Sequence, residues 1–293
     1  MTYKNGKGNV TSVALLEKPV QKADEFDSPA FEGSDESLPY LQMLNHQDPG
    51  KAGFFITTEN AEAVKFKPSL AWGKHTTTFQ SGETAAGYRS LTVRMVVLRR
   101  SALMMFDRDS GDYIDLYRKA GYDRATMVLK TRYLVYLLDE SNQLLHEQPL
   151  LFTAKGAMCG DFGEVYQRFR REMSRAFGQA RGTHKPRGDK FLALSVLVMT
   201  VRPILKGKEK KSWVCSIAAV NRPTPETWLA AFVGYDEGTK LRVYGAFEDW
   251  VDFGKPEREL EAQQRRQVAA SADDLPTEFA YEYSLDSEGE IEF

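Results

Sequence analysis

A chain of 293 residues, 42% hydrophobic and 12% aromatic, can bury one large core or two smaller ones. It holds no apolar run of about 18 residues, its first residues lack the apolar centre of a signal peptide, and its two cysteines, Cys159 and Cys215, stand far apart. These features speak against a helical membrane span, a secreted precursor and a disulfide framework, and set the expectation of a cytoplasmic protein. The net charge of −2 conceals a segregation, because residues 65–222 hold 28 Lys and Arg against 14 Asp and Glu while both flanks are acidic. Such a split bears on partners rather than on fold, and predicts a body that meets a polyanion.

Residues 1–36, with Gly6, Gly8, Pro19, Pro29 and Gly33 among scattered charges, read as a flexible arm. Order is expected from residue 37, with a first strand over 38–44 and a turn at Asp48-Pro49-Gly50. A second strand covers 53–57. The polar stretch 71–87, with three consecutive Thr and Ser81-Gly82, reads as loop or short edge strands. Residues 91–100 are rich in β-formers. The longest strand candidate is 126–138, whose period of two sets Met127, Leu129, Tyr133, Val135 and Leu137 on one face. Lys130, Arg132, Leu134 and Tyr136 share the other face, and 144–153 reads as its antiparallel return.

One amphipathic helix follows, with Asp161 as cap and Gly178 as stop. Phe162, Val165, Tyr166, Phe169, Met173, Ala176 and Phe177 form its apolar stripe, and Arg168, Arg171 and Arg175 line another face. A basic linker spans 179–190 and marks a subdivision of the body. The apolar run 191–201 reads as a central strand, returned by 213–220 through a lysine-rich hairpin tip. A short helix at Thr224-Pro225-Glu226, a last strand over 241–247, an exposed helix over 255–270 and an acidic tail over 271–293 complete the chain. The expected fold is α+β and β-rich. It is an OB-like barrel or a strongly curved antiparallel sheet over 37–254, with one packed amphipathic helix and disordered termini.

No phosphate-cradling glycine loop occurs, and the four histidines have no metal-ligand spacing. Asp107, Asp109, Asp112 and Asp115 lack the Glu that a calcium loop carries at its twelfth position, so they read as a turn. No catalytic constellation, metal or cofactor is expected.

Binding to single-stranded nucleic acid needs cations that follow phosphates and aromatic faces on which bases stack. Candidates are Arg89, Arg94, Arg99 and Arg100 with Tyr88; Lys130, Arg132 and Tyr136; Lys206, Lys208, Lys210 and Lys211 with Trp213; and Trp72 with Lys74. Each group taken singly also describes an ordinary solvated face or core packing. Together, in a body this basic, they predict a nucleic-acid-binding surface of the OB type.

From Gln267 to Phe293 the chain has eight acids and no Lys or Arg. An acidic stretch ending in Phe resembles the C-terminal tails of phage and bacterial single-stranded DNA-binding proteins. No Pro precedes Phe293, so the likeness is to the phage-type tail. The resemblance implies that Phe293 anchors to replication or recombination partners, with Ile291 in support and Glu288, Glu290 and Glu292 supplying charge that competes with DNA. The body, from Leu38-Pro39-Tyr40-Leu41-Gln42 through the 161–177 helix, also looks like an uncharacterised cyanobacterial family, which implies no activity.

The expectation is a non-enzymatic, cytoplasmic single-stranded DNA-binding protein of replication or recombination, with partners recruited by the tail and room for homo-oligomers. Alternatives are a phage or plasmid assembly protein and an RNA-binding subunit of a defence complex.

Overall fold

A computed structural model describes residues 38–79, 81–207 and 211–255. The 1–36 arm, residues 256–270 of the exposed helix, Lys208, Lys210 and the tail residues Glu288, Glu290, Ile291, Glu292 and Phe293 lie outside the described residues.

Among the described residues, eleven strands build one sheet. They are β1 (Tyr40–Leu44), β2 (Gly53–Thr57), β3 (Gly73–Thr78), β4 (Thr84–Ser90), β5 (Thr92–Arg100), β6 (Met104–Asp107), β7 (Tyr113–Leu116), β8 (Met127–Leu137), β9 (Leu150–Lys155), β10 (Leu197–Lys206) and β11 (Ser212–Val220). Their order is β11-β10-β5-β8-β9-β1-β2-β4-β3, with β6 paired to both β7 and β8. β1 runs parallel to β9, and the other pairings between these strands are antiparallel. The sheet is strongly curled into a half-barrel, a β-rich α+β fold. The curl is visible in one contact. Four strands separate β11 from β1 in the order, yet the Cys215 backbone N–H donates to Asn45 Oδ1 at 2.8 Å and its thiol to the Leu44 carbonyl at 3.1 Å.

The centre of the sheet is apolar on both sides, as a nearly continuous hydrophobic run requires. On one face, Val93, Met95 and Val97 of β5 join Tyr133, Val135 and Leu137 of β8. On the other, Val96 and Leu98 join Leu134 and Tyr136. Among the described residues four α-helices accompany it: α1 (Thr58–Ala63), α2 (Ala157–Arg181), α3 (Asp189–Leu192) and α4 (Glu237–Asp249). α2 covers the first face with Phe162, Tyr166, Phe169 and Met173, touching β8, β9 and β11. The Phe162 ring meets Tyr133 at 4.6 Å and Phe152 at 5.3 Å, both edge-on. α4 covers the second face with Val243, Ala246 and Phe247.

Several sequence expectations change. Residues 241–247 belong to α4 rather than a strand. The Asp236 side chain caps that helix by accepting the Thr239 N–H at 2.7 Å, and its buried residues Thr239, Val243, Ala246 and Phe247 fall at helical spacing. α2 begins at Ala157, so Asp161 is not its cap. Asp161 instead accepts from Lys206 Nζ and Ser216 Oγ, each at 2.8 Å, and ties the helix to β10 and β11. The helix runs past Gly178 to Arg181, where Gly182 takes the left-handed conformation at φ 64°. Residues 189–192 form α3 before β10 begins, and 71–87 contains most of the β3–β4 hairpin.

Between β8 and β9, His146 is buried and neutral. Its Nε2 accepts the Leu137 N–H at 2.8 Å, and Nδ1 donates to the Gln148 carbonyl at 2.6 Å. Burial pushes its imidazole down to about 4, against the opposing effect of the Gln148 bond. An unfolded-chain histidine titrates near 6.5, so the unfolded state binds the extra proton between these values. His146 therefore contributes stability above pH 6.5 that is lost as pH falls through the window, by about 3 kcal/mol at pH 4. Urea unfolding at pH 4.5, 5.5 and 7 should show this slope, and His146→Gln should remove that component while lowering stability at pH 7.

Candidate functional site

The residues named from sequence do not converge on one groove. Trp72 is 7% exposed and sets its ring edge-on to Phe66 at 5.4 Å. Tyr88 is half-buried on the same Phe66, with ring centres 5.6 Å apart. Tyr136 is buried and donates its hydroxyl to the Glu147 carbonyl at 3.1 Å. Trp72 and Tyr136 are packing residues, not platforms for bases, because burial covers their faces, while Tyr88 is partly open beside Phe66. Trp213 remains 41% exposed on β11.

Most of the named cations are held by the fold. Arg89 donates to the carbonyls of Pro49 and Ala52 at 3.1 and 2.6 Å. Arg94 bonds the side chain of Asn142. Arg99 lies 3.5 Å over the Phe247 ring and bonds the Phe247 carbonyl, clamping α4 to β5. Lys130 sits 3.8 Å over Phe106, Arg132 is half-buried, and Lys206 pairs with Asp161. Lys74 and Lys211 are exposed, but on or beside β3 and β11, the two ends of the strand order. Of the sequence candidates, Arg100 alone joins the cationic assembly described next.

That assembly begins on α2. Gln167, Arg170, Arg171, Ser174, Arg175, Gly178 and Gln179 recur at steps of three and four and form a polar stripe beside the apolar one. Residues 183–187 fold back along this stripe as a second wall, enclosing a cleft of about 740 Å³. Local chemistry fixes the fold-back. Gly182 turns the chain, the Thr183 N–H donates to the Gly178 carbonyl at 2.8 Å, and the Arg187 N–H donates to Ser174 Oγ at 2.9 Å. A Cβ on Gly178 would stand 2.5 Å from the Thr183 carbonyl oxygen, so this crossing needs glycine.

Five guanidiniums, on Arg100, Arg170, Arg171, Arg175 and Arg187, line the cleft together with Lys185 and His184, and among the described residues no carboxylate does. Arg170 pairs with Asp189 outside it and lies 5.6 Å over the Tyr166 ring. Arg187 rests 4.8 Å over Phe177, and its buried Nε has no hydrogen-bond partner. With its amide oxygen turned toward β5, Gln167 accepts from Arg100. Arg171, Arg175 and Lys185 are exposed and make no ion pair among the described residues. Arranged this way, the groups can hold several phosphate-like anions side by side. A smaller cavity of about 320 Å³ adjoins the cleft and shares Arg100 and Arg170 with it.

The helix arginines and the basic linker stand out in the sequence, but nothing in their order says that Arg170, Arg171 and Arg175 face Lys185 and Arg187. The available signal was the three-and-four spacing from Gln167 to Gln179 running straight into that linker. Elsewhere, Asp107 Oδ1 accepts the N–H groups of Asp109 and Ser110 at 2.9 and 2.8 Å, as a turn carboxylate does. Among the described residues no group of His, Cys, Asp and Glu is placed to hold a metal ion, and no helix is long and apolar enough to cross a membrane.

A family model described as "Domain of unknown function (DUF5895)" matches residues 35–266. Uncharacterized protein 254L of Invertebrate iridescent virus 6 is 26% identical over 174 residues, 55% of this chain and 52% of the viral protein. The chain thus spans about half the length of the curated relative it matches. No solved structure matches it.

The close crossing at Gly178 yields a direct test of how the cleft is built. Gly178→Ala should cost about 1–3 kcal/mol and loosen the 183–187 wall, seen as faster hydrogen exchange at the Arg187 amide. Gly163→Ala, where a Cβ would meet nothing within 4 Å, should be neutral or stabilising.

Proposed function

We propose that this chain, which belongs to the DUF5895 family, binds single-stranded nucleic acid by its phosphates along the α2 cleft, without catalysing a reaction on it. The observation that carries this reading is the cleft itself: five arginines and Lys185 face one another with no carboxylate among the described residues of the walls. Exposed cations so concentrated repel one another unless an anion lies between them. The stripe from residue 167 to 179 rises about 18 Å at 1.5 Å per residue, room for a short run of phosphates rather than one ion.

Among the described residues the walls offer no open Phe, Tyr or Trp face, so binding is read chiefly from the backbone of the ligand and tolerates any sequence. This departs from the expected mixture of phosphate contacts and base stacking. Arginine forks fit phosphate oxygens two at a time, which suits them to hold a flexible strand in register. A role in replication or recombination accords with such tolerance. The acidic residues of 267–293 would then restrain the cleft and reach protein partners.

Anisotropy of a labelled oligonucleotide across a salt series tests the cleft. About five neutralised phosphates at ~0.7 each predict a log–log salt slope of roughly −3 to −4. Replacing Arg171 and Arg175 together by Ala should make the slope shallower by about 1.4 and weaken binding about tenfold or more at low salt. A flat salt dependence, or an unchanged double variant, would overturn the proposal. In the same assay, removal of 285–293 should leave affinity equal or higher, and a clear loss would contradict the restraining role.

A further inference from the structure

The cavity beside the cleft has a different character from the cleft. It holds about 320 Å³ against about 740 Å³ and is the less open of the two. Its walls come from the end of β5, from Ala102, from Leu116 of β7, from α2 and α3, and from residues 251–255 after α4. A strand can lie along the cleft, but a recess walled by so many segments has room for one nucleotide end and not for a strand passing through.

Its charge is concentrated. Arg99, Arg100, Arg170 and Lys255 line it against a single carboxylate, Asp189, which already bonds Arg170. The register shift between Val97 and Arg99 is a β-bulge that leaves Leu98 and Arg99 on one face, and the ordinary alternation of the strand then sends Arg100 to the other. Arg99 goes to Phe247 on α4, and Arg100 goes to Gln167 on α2. Both line the recess at the strand's end, where the two faces meet. The guanidiniums are already oriented: Arg99 by the Phe247 ring and carbonyl, Arg170 by Asp189 and the Tyr166 ring. Lys255 is steadied by Asp252 at 2.6 Å. Tyr166 completes the wall as a phenol that burial pushes up to about 12, against the opposing pull of Arg170 and Arg100. It stays protonated, and so able to donate, throughout the neutral range.

We infer that this recess is a seat for a phosphate monoester, the phosphorylated end of a strand whose remaining phosphates lie in the cleft. The inference rests on the cleft being a phosphate path. It adds that the path has an end, and that the end discriminates charge. A diester inside a strand carries one negative charge. A terminal monoester carries ≈ 1.5 to 2 near pH 7, with a second ionisation near 6. Three guanidiniums and an ammonium around a small volume favour the second over the first. A free nucleoside monophosphate presents the same chemistry, so the source of the monoester must be tested as well as its presence.

The experiment uses the full chain and one internally labelled oligonucleotide in three forms: 5′-phosphorylated, 3′-phosphorylated, and hydroxyl at both ends. One phosphorylated form should bind about tenfold or more tighter than the hydroxyl form, and the advantage should grow from pH 5 to 7.5 as the monoester ionises. Ala102→Trp fills the recess from an exposed position without removing a cation, so it should abolish the advantage and leave hydroxyl-end binding unchanged. Should that variant fail to fold, Lys255→Gln should shrink the advantage instead. A nucleoside monophosphate that competes away only the advantage identifies free nucleotides as a second source of the same group. Equal affinity of all three forms would overturn the inference while leaving the cleft standing. If no oligonucleotide binds, the cleft reading falls, and direct titration of the monophosphate against wild type and Ala102→Trp still decides the recess: no binding, or equal binding to both, rejects it.

Discussion

The rest of the structure depends on a sheet whose central strands are buried on both faces. β5 and β8 place Val93, Met95, Tyr133 and Val135 on one side and Val96, Leu98, Leu134 and Tyr136 on the other. A half-barrel is open on its concave side and bare on its convex one, so curling alone shelters neither face. Two covers are therefore required, and the chain supplies them as α2 and α4. Each is locked by polar contacts at its margin: Asp161 with Lys206 and Ser216 for α2, and Arg99 with the Phe247 carbonyl for α4.

This demand for covers accounts for where the surplus of positive charge emerges. A helix that buries Phe162, Tyr166, Phe169 and Met173 must turn its neighbouring stripe to the margin of the sheet, and that stripe carries Arg170, Arg171 and Arg175. The linker beyond Gly182 returns along the same margin and adds Lys185 and Arg187. Arg89 and Arg99, both on strands, serve the layers as well. Their long apolar stems and flat cationic heads lie on rings such as Phe247 or bond main-chain carbonyls, so they hold the layers together.

Much of the fold was legible from side-chain periodicity, because a period of two is a property of the strand alone. The two faces of β8, the β10–β11 return and the amphipathic α2 follow from it directly. What escaped depends on partners distant in sequence. Trp72 lies among glycine and threonine and reads as exposed, yet Phe66 and the core receive it. Alternating Arg and Lys on a strand specify a face but not what covers that face, so Arg99 and Tyr136 read as open when α4 and the 138–149 connection close them off. α4 read as a strand because Gly238 and Gly245 interrupt its pattern. The cleft was half-visible. Its helical wall obeys a clear spacing, but Gly178 reads as a stop, and only the close approach of Thr183 reveals that glycine serves a crossing there.

The parallel pairing of β1 with β9 has a kinetic consequence. Tyr40 finds its partner in Leu151, about 110 residues later, and β2, β4 and β3 follow β1 outward in the sheet. A chain synthesised from its N-terminus makes these four strands first, yet cannot seat them until β9 exists. They form a four-stranded antiparallel unit with an unpaired edge that waits for the rest. Closing so long a loop slows assembly far more than it weakens the final state. Docking of this four-stranded unit onto β9, like the pairing of β10 with β5 across a loop of similar length, is a non-local closure on which completion of the half-barrel waits.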